Sequence, residues 1–212
     1  MSQDALLRKG ARALGVELTD GQSDQLLAYG ALILKWNKVY NLTALRDPAA
    51  VLTHHLLDSL SVVAPLQREQ PGSAKLLDVG AGAGLPGVVI ATLRPDIDVT
   101  CLDAVAKKVA FVQQVAAELR LPNLRGLHAR VESLQGSYDL ISSRAFASLP
   151  DFVEGSSQLL APTGRWLAMK GKVPDDEIEQ LKSHVDVFHV EQLTVPGLDA
   201  ERCIVWMRKP AA

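Results

Sequence analysis

A glycine-rich turn directly after a buried apolar run constrains the fold of this chain more than any other sequence feature. Residues 76–79 read LLDV, and residues 80–87 read GAGAGLPG. Glycines in such a turn let a ligand approach the backbone closely, and a helix that starts there offers free N–H groups. A tight turn without a ligand is the alternative, but so many clustered glycines favour a binding site. The pattern therefore predicts a strand, a turn and a helix that form a ligand site.

Short apolar runs alternate with helical segments throughout the second part of the chain, from residue 73 onward. This alternation predicts an α/β fold, with a mostly parallel Rossmann-like sheet covered by helices on both faces. The strand-like runs are 75–79, 99–102, 124–128, 138–142 and 165–169, and the helical segments are 86–93, 105–119, 150–160 and 174–184. Two last runs, 188–195 and 202–208, flank Pro196-Gly197 and predict a closing antiparallel hairpin, which makes seven strands.

The first part of the chain has a helical pattern instead. Thr19 and Gln22 have the spacing of a capping box, and Asp47-Pro48 is a second helix start. We therefore expect residues 1–70 to form an N-terminal helical extension and residues 71–212 to form the α/β core.

Composition limits the classes of function. The chain carries 22 basic and 24 acidic residues, a net charge of −2, so an RNA partner would require basic residues gathered on one face. The longest uncharged stretch is too short for a membrane span, and we expect a cytoplasmic protein without a secretory signal. Cys101 and Cys203 lie in apolar contexts and are predicted core residues.

Two cofactors fit the glycine pattern. Gly82, Gly84 and Gly87 satisfy the dinucleotide spacing G-x-G-x-x-G, which alone is weak evidence. Asp78, two residues before Gly80, would repel a pyrophosphate but could organise a loop that receives the positively charged end of S-adenosylmethionine. Asp103 follows the next strand and could accept both ribose hydroxyls of either cofactor, with a helix N-cap as the alternative or additional role.

Four other candidates follow the later strands, and a fifth, Asn41, lies in the first part of the chain. Glu132 could border an adenine, although a solvated glutamate at a helix start is nearly as reasonable. Arg144 suits guanine or phosphate, with a surface ion pair as the alternative. Phe146 could stack on a base or belong to the core. Lys170 could hold phosphate or substrate, or be a solvated lysine beside a turn. Asn41 could lie over the cofactor pocket or cap the end of a helix.

His54, His55 and Asp58 form a polar cluster in a predicted helix, with both histidines spaced to approach Asp58 from one side. A metal site would need a third strong ligand, and the sequence offers no partner for one. We therefore expect no metal site; a hydrogen-bonded contact between helix and core is the favoured interpretation, and a role in the wall of the pocket is the second.

Taken together, these motifs resemble the glucose-inhibited division protein B family, the bacterial 16S rRNA guanine-N7 methyltransferases. The similarity extends from about Thr19 to Arg208 and rests on WNKVYNLT (36–43), HLLDS (55–59), DVG (78–80), LPG (85–87), SRAFA (143–147) and KG (170–171). The resemblance implies S-adenosylmethionine as cofactor and a guanine of the small ribosomal subunit, or of an assembly intermediate, as substrate. It also implies a set of cofactor contacts: Gly80, Leu85, Val131, Glu132 and Arg144. Ala104 departs from the serine that often follows the acid in this family.

Methylation at guanine N7 is consistent with the absence of two sequence motifs that other nucleic-acid methyltransferases carry. The Asn/Asp-Pro-Pro-aromatic loop of exocyclic-amine methyltransferases and the Pro-Cys loop of cytosine-C5 enzymes are both missing. N7 already holds an in-plane lone pair and no proton, so methyl transfer needs no general base and can rest on positioning, for which Arg144 is the candidate. A small-molecule methyltransferase and a NAD(P)-binding oxidoreductase are the alternative functions, the second requiring a substrate domain for which the chain has little room.

Overall fold

The computed structural model describes residues 2–144, 147–181 and 184–210, and a seven-stranded sheet forms its centre. The strands are β1 (Ala74–Val79), β2 (Ile97–Asp103), β3 (Leu124–His128), β4 (Tyr138–Ser143), β5 (Leu160–Lys170), β6 (Asp186–Leu193) and β7 (Arg202–Arg208). They are arranged in the order β3-β2-β1-β4-β5-β7-β6. The first five are parallel, and β7 pairs antiparallel with both β5 and β6. The predicted α/β sheet with a closing antiparallel pair is confirmed.

Helices cover this sheet. They are α1 (Gln3–Ala13), α2 (Asp20–Tyr40), α3 (Pro48–Val51), α4 (Asp58–Leu60), α5 (Val63–Glu69), α6 (Gly87–Leu93), α7 (Ala106–Glu118), α8 (Leu149–Ser156) and α9 (Asp175–Leu181). A π-helical segment, Leu52–Leu57, joins α3 to α4. The two predicted helix starts are confirmed: Thr19 and Gln22 form a capping box, and the Asp47 carboxylate accepts from Ala50 N.

The helices of the first 70 residues pack on the sheet rather than apart from it. Leu26 and Ile33 of α2 belong to the same buried cluster as Val88 of α6 and Leu76 of β1. The predicted division at residue 70 therefore separates two secondary-structure patterns, while the hydrophobic core runs across it.

Pro48–Glu69 is the one helical stretch of the described residues with the length and mean hydropathy, 1.3 over 18 residues, of a membrane span. In this molecule 72% of that window is buried, with Leu56 and Leu60 in the core. Packing inside the protein accounts for its apolar character.

Candidate active site

The glycine turn combines left-handed backbone with space for a ligand. Gly80, Gly82 and Gly84 have φ values of 66°, 59° and 88°, which only glycine adopts without strain. A Cβ at Gly84 would lie 2.5 Å from Val88 Cγ2, so this glycine is required by packing inside the protein. At Gly82 the nearest atom to such a Cβ is the Gly80 carbonyl oxygen at 4.0 Å. Gly82 therefore faces open space, as a ligand-contacting backbone requires.

Asp78 holds the turn from inside the protein. Its side chain is fully buried; Oδ1 accepts from Ser142 Oγ at 2.8 Å and Oδ2 accepts from Gly87 N at 2.9 Å. Burial raises the pKa of this carboxyl to about 6. The residue thus joins β1, β4 and the start of α6, and it organises the loop without facing the ligand space itself.

Asp103 links the turn to the end of the next strand. Oδ2 accepts from Gly82 N at 3.0 Å and Oδ1 accepts from Val105 N at 2.9 Å. The second bond leads into α7, whose N-cap residue is Val105, so the carboxylate supports the helix start from two residues upstream. Each oxygen keeps a further acceptor position, which leaves capacity for two hydroxyl donors.

A cavity of about 270 Å³ lies at the carboxyl ends of β1, β2 and β3. We call it the first cavity. Gly80, Asp103, Val131 and Glu132, four of the predicted cofactor residues, are among the residues that line it. Leu85, a fifth, is buried in the core behind the turn.

Sequence reasoning missed one residue that fixes the glycine turn. Tyr29 of α2 is fully buried, and its hydroxyl donates to the Ala83 carbonyl oxygen at 2.6 Å. Burial raises the pKa of this phenol well above its ordinary value. Tyr29 shares its buried helix face with Leu26 and Ile33. A tyrosine on an apolar helix face needs a partner for its hydroxyl, and this was the available signal.

A second cavity, of about 420 Å³, lies between the π-helical segment and the carboxyl ends of β4 and β5. Its lining includes His55, Asp58, Arg144, Lys170 and Arg202. Because β1 and β4 are neighbours at the point where the strand order reverses, both cavities lie at the carboxyl edge of the sheet, where α/β proteins bind ligands.

Asp58 is the charged centre of the second cavity. Its side chain is 3% exposed; Oδ2 accepts from Arg144 Nη1 at 3.0 Å and Oδ1 accepts from Arg202 Nε at 2.8 Å. Arg144 therefore forms an ion pair, as the alternative interpretation held, but with a buried carboxylate instead of one at the surface. Arg144 Nη1 also donates to the His54 carbonyl oxygen at 3.2 Å. Within the described residues, both hydrogen bonds of the Arg144 side chain use Nη1, and none uses Nε or Nη2.

Among the described residues neither histidine side chain forms a hydrogen bond or ion pair with Asp58, although all three line the second cavity, which agrees with the pocket-wall interpretation. His55 Nε2 lies 2.8 Å from Thr43 Oγ1, and Nδ1 lies 3.0 Å from the His54 carbonyl oxygen, so Nδ1 is the donor and Nε2 accepts from the threonine. Burial lowers the pKa of His55 to about 4, and Arg144 adds to this effect. The physical reason for the difference is the π-helical hydrogen bonding of Leu52–Leu57, which changes the angular spacing on which the prediction relied.

The three predicted substrate residues have different surroundings. Lys170 lines the second cavity, and its Nζ donates to Glu177 Oε2 at 2.9 Å and to the Ala147 carbonyl oxygen at 3.2 Å. Asn41 is exposed at the end of α2, where it forms the C-cap with φ 49° and lines neither cavity. Phe146 lies outside the described residues.

Both cysteines are free and buried, as predicted. In the part of the chain that the structure describes, no three His, Cys, Asp or Glu side chains are grouped as a metal site would require.

Comparisons with known proteins agree with this geometry. A family model described as GidB, rRNA small subunit methyltransferase G, matches residues 22–205. The ribosomal RNA small subunit methyltransferase G of Paracidovorax citrulli (strain AAC00-1) is 60% identical over 223 residues, covering 98% of this chain and 92% of the relative. The ribosomal RNA small subunit methyltransferase G of Polaromonas sp. (strain JS666) is 61% identical over 211 residues, covering 97% of this chain and 93% of the relative.

Solved structures show the same fold at low sequence identity. The 1,6-didemethyltoxoflavin-N1-methyltransferase of Burkholderia thailandensis, solved with S-adenosylhomocysteine, aligns with a TM-score of 0.60 and 17% identity. The alignment covers 87% of this chain and 90% of that protein.

Proposed function

The chain belongs to the rRNA small subunit methyltransferase G family, and from this membership we propose that it methylates N7 of a guanine in 16S rRNA, with S-adenosylmethionine as the methyl donor. The protein is a methyltransferase that acts on ribosomal RNA of the small subunit. Membership in this family sets aside the NAD(P)-dependent oxidoreductase and the small-molecule methyltransferase. We further propose that it meets its substrate in the cytoplasm, as 16S rRNA within the small subunit or an assembly intermediate.

One observation carries the proposal: the carboxyl edge of the sheet holds two cavities, one whose lining suits the donor and one whose lining suits the acceptor. The first cavity fits the donor because Asp103 has acceptor positions for ribose hydroxyls and the turn at Gly82 is open. Val131 and Glu132 form the wall next to β3, where an adenine ring would lie. We assign Gly80, Gly82, Gly84, Leu85, Asp103, Val131 and Glu132 to this cofactor site.

Methyl transfer to guanine N7 requires the protein mainly to position the base and the methyl donor. S-adenosylmethionine supplies an electrophilic methyl group when it is bound. Guanine N7 supplies the lone pair, so no described residue needs to accept a proton. The residues of the second cavity must hold the guanine plane in line with the donor and keep N7 free.

Arg144 is suited to that task. Its Nη1 is fixed by Asp58, while none of its hydrogen bonds within the described part of the chain uses Nε or Nη2. An arginine that donates to O6, the acceptor beside N7, would orient the base and leave the N7 lone pair to attack. Lys170, already fixed by Glu177, can contact a phosphate at the rim. We assign Arg144 a positioning role for the base, with a further contact to the cofactor implied by the resemblance.

Methyl transfer from labelled S-adenosylmethionine tests the proposal. We expect label in 16S rRNA of small subunits purified from cells that lack the protein, and mass spectrometry of the digested rRNA should identify 7-methylguanosine. Because the chain is acidic, we expect little transfer to protein-free 16S rRNA and weaker transfer at higher salt. Label in another nucleoside would disprove the N7 assignment, and equal rates on free rRNA and subunits would disprove the preference for assembled substrate.

A further inference from the structure

Helices α2 and α7 lie side by side in opposite directions. Near the start of α2, Gln25 Nε2 donates to the Leu119 carbonyl oxygen just after α7, at 2.8 Å. Near the end of α2, the Trp36 ring packs on the Phe111 ring in the first half of α7, with centroids 5.4 Å apart. The last turns of α2 therefore lie beside the first turn of α7, which follows directly from Asp103 and the first cavity.

Exposed apolar side chains gather at this end of the helix pair. Among the described residues, four large apolar side chains are exposed, and three of them are here: Val39 (71%), Tyr40 (39%) and Val105 (37%). Trp36 packs beneath Tyr40, with ring centroids 5.1 Å apart, so the tyrosine ring is held in place at the surface.

Basic side chains surround these apolar groups. Lys35, Lys38, Arg46 and Lys107 are exposed, and none forms an ion pair within the ranges that the structure describes. Lys108 lies 3.7 Å from the Asp103 carboxylate. Three basic residues at the second cavity or close to it, Arg144, Lys170 and Lys172, differ because each has a carboxylate partner. We call Lys35, Lys38, Val39, Tyr40, Arg46, Val105, Lys107 and Lys108 the α2–α7 surface.

Lys107 and Lys108 carry positive charge at the start of their own helix, where the Asp103 carboxylate, 3.7 Å from Lys108, offsets only the charge of Lys108. They occupy the first turn of α7, which contains no acidic residue, and its N-cap side chain makes no hydrogen bond. Cations are unfavourable at the positive end of a helix dipole, where acidic residues are preferred. A local arrangement that lowers stability is typical of a functional surface. Bound phosphates would make the lysines at this helix start favourable.

We propose that the α2–α7 surface is where the RNA substrate docks while its guanine enters the second cavity. The proposal rests on the proposed function for the identity of the RNA. Phosphates would contact the unpaired lysines, and Tyr40 offers an exposed ring on which an unpaired base can stack. RNA is favoured over a protein partner because the exposed charges here are mainly basic in a chain of net charge −2.

A charge-reversal pair tests this with a matched control. The Lys38→Glu/Lys107→Glu variant changes the surface, and the Lys9→Glu/Lys75→Glu variant makes the same change in net charge at exposed lysines elsewhere. Binding of each protein to purified small subunits is measured across a salt series, and binding of S-adenosylhomocysteine is measured by calorimetry. We expect the surface variant to lose at least tenfold in subunit affinity, with a salt slope reduced by about 1 to 2, at unchanged S-adenosylhomocysteine affinity. The control variant should bind subunits like the unchanged protein.

Equal subunit affinity of the two variants would overturn the proposal. This assay measures binding and not methyl transfer. A failure of the docking proposal can therefore be distinguished from a failure of the proposed methylation. A photoreactive benzoylphenylalanine at position 39 identifies the partner. Cross-links to 16S rRNA support the proposal, whereas cross-links confined to a ribosomal protein would overturn it in favour of a protein contact.

Discussion

Arg144 Nη1 lies 3.0 Å from Asp58 Oδ2, across the gap between the sheet and the N-terminal helices. Arg202 holds the other oxygen of the same carboxylate, so two cations from different strand ends meet on one buried anion. This arrangement fixes Arg144 in the position that its proposed role requires and ties the first 70 residues to the core.

The two arginines should compensate for each other in stability. We expect Arg144→Ala or Arg202→Ala alone to lower the free energy of unfolding by about 1 to 2 kcal/mol, because the remaining arginine still neutralises Asp58. The double variant should lose at least about 1 kcal/mol more than the sum, because the carboxylate is then buried without a cation. Urea denaturation of the four proteins at pH 7 measures this coupling, and strictly additive losses would contradict the shared arrangement.

Arg144 should matter for activity as well as for stability. Arg144→Ala is expected to lower kcat/KM for subunit methylation at least tenfold, equivalent to about 1.4 kcal/mol of transition-state stabilisation. Arg208→Ala, which removes an exposed arginine paired with Asp186, is the control and should stay within twofold. Near-normal turnover of Arg144→Ala would reduce its role to the ion pair.

The cofactor turn can be tested with two glycines that have similar backbone strain. Gly82 (φ 59°) and Gly15 (φ 74°) both lack close neighbours for a Cβ. Alanine at either should cost about 1 to 2 kcal/mol of stability, because the left-handed conformation is strained. Only Gly82→Ala should also weaken S-adenosylhomocysteine binding, at least tenfold by calorimetry, because its methyl group enters the ligand space. Equal affinities in the two variants would remove Gly82 from the site.

Removing the Tyr29 hydroxyl should destabilise the glycine turn from its buried side. Tyr29→Phe leaves the buried Ala83 carbonyl without its donor, at an expected cost of about 1 to 3 kcal/mol in the free energy of unfolding. We also expect weaker S-adenosylhomocysteine binding, because the turn loses its anchor on α2. Tyr138→Phe is the control, since the hydroxyl of this buried tyrosine has no hydrogen bond within the described residues and its loss should change neither quantity appreciably.

His55 and Asp78 should act on stability in opposite directions between about pH 4 and pH 6. The pKa of His55 is lowered to about 4 in the folded protein, so the unfolded chain binds the extra proton and the unfolding free energy rises with pH from about 4 to 6.5. The pKa of Asp78 is raised to about 6, so the folded chain keeps the extra proton and stability falls with pH in the overlapping window.

The His55→Gln variant separates these contributions. The stability difference between the unchanged protein and this variant should grow by on the order of 2 kcal/mol from pH 4 to pH 6.5. Denaturation at several pH values measures it, with the exposed His189→Gln as control. A pH-independent difference would show that His55 titrates normally in the folded protein.

The sequence by itself determined the α/β class, the glycine turn, Asp103 at the end of the second strand and both helix caps. Each of these is encoded within a few neighbouring residues, by apolar periodicity, by glycines that permit positive φ, or by a side chain that reaches its own backbone. The family resemblance was readable for the same reason, since its motifs are short and contiguous.

Only the tertiary structure decided the partners of the charged and polar groups. Asp58 and Arg202 are 144 positions apart, and Tyr29 and Ala83 are 54 apart. Periodicity places a residue on a face of its own helix or strand but does not specify which distant element covers that face. The π-helical segment shows the same limit locally, because the extra residue in its turn redirected His55 to Thr43 and left Asp58 to the two arginines. Contacts of this kind depend on how the elements pack, and packing is a property of the whole chain.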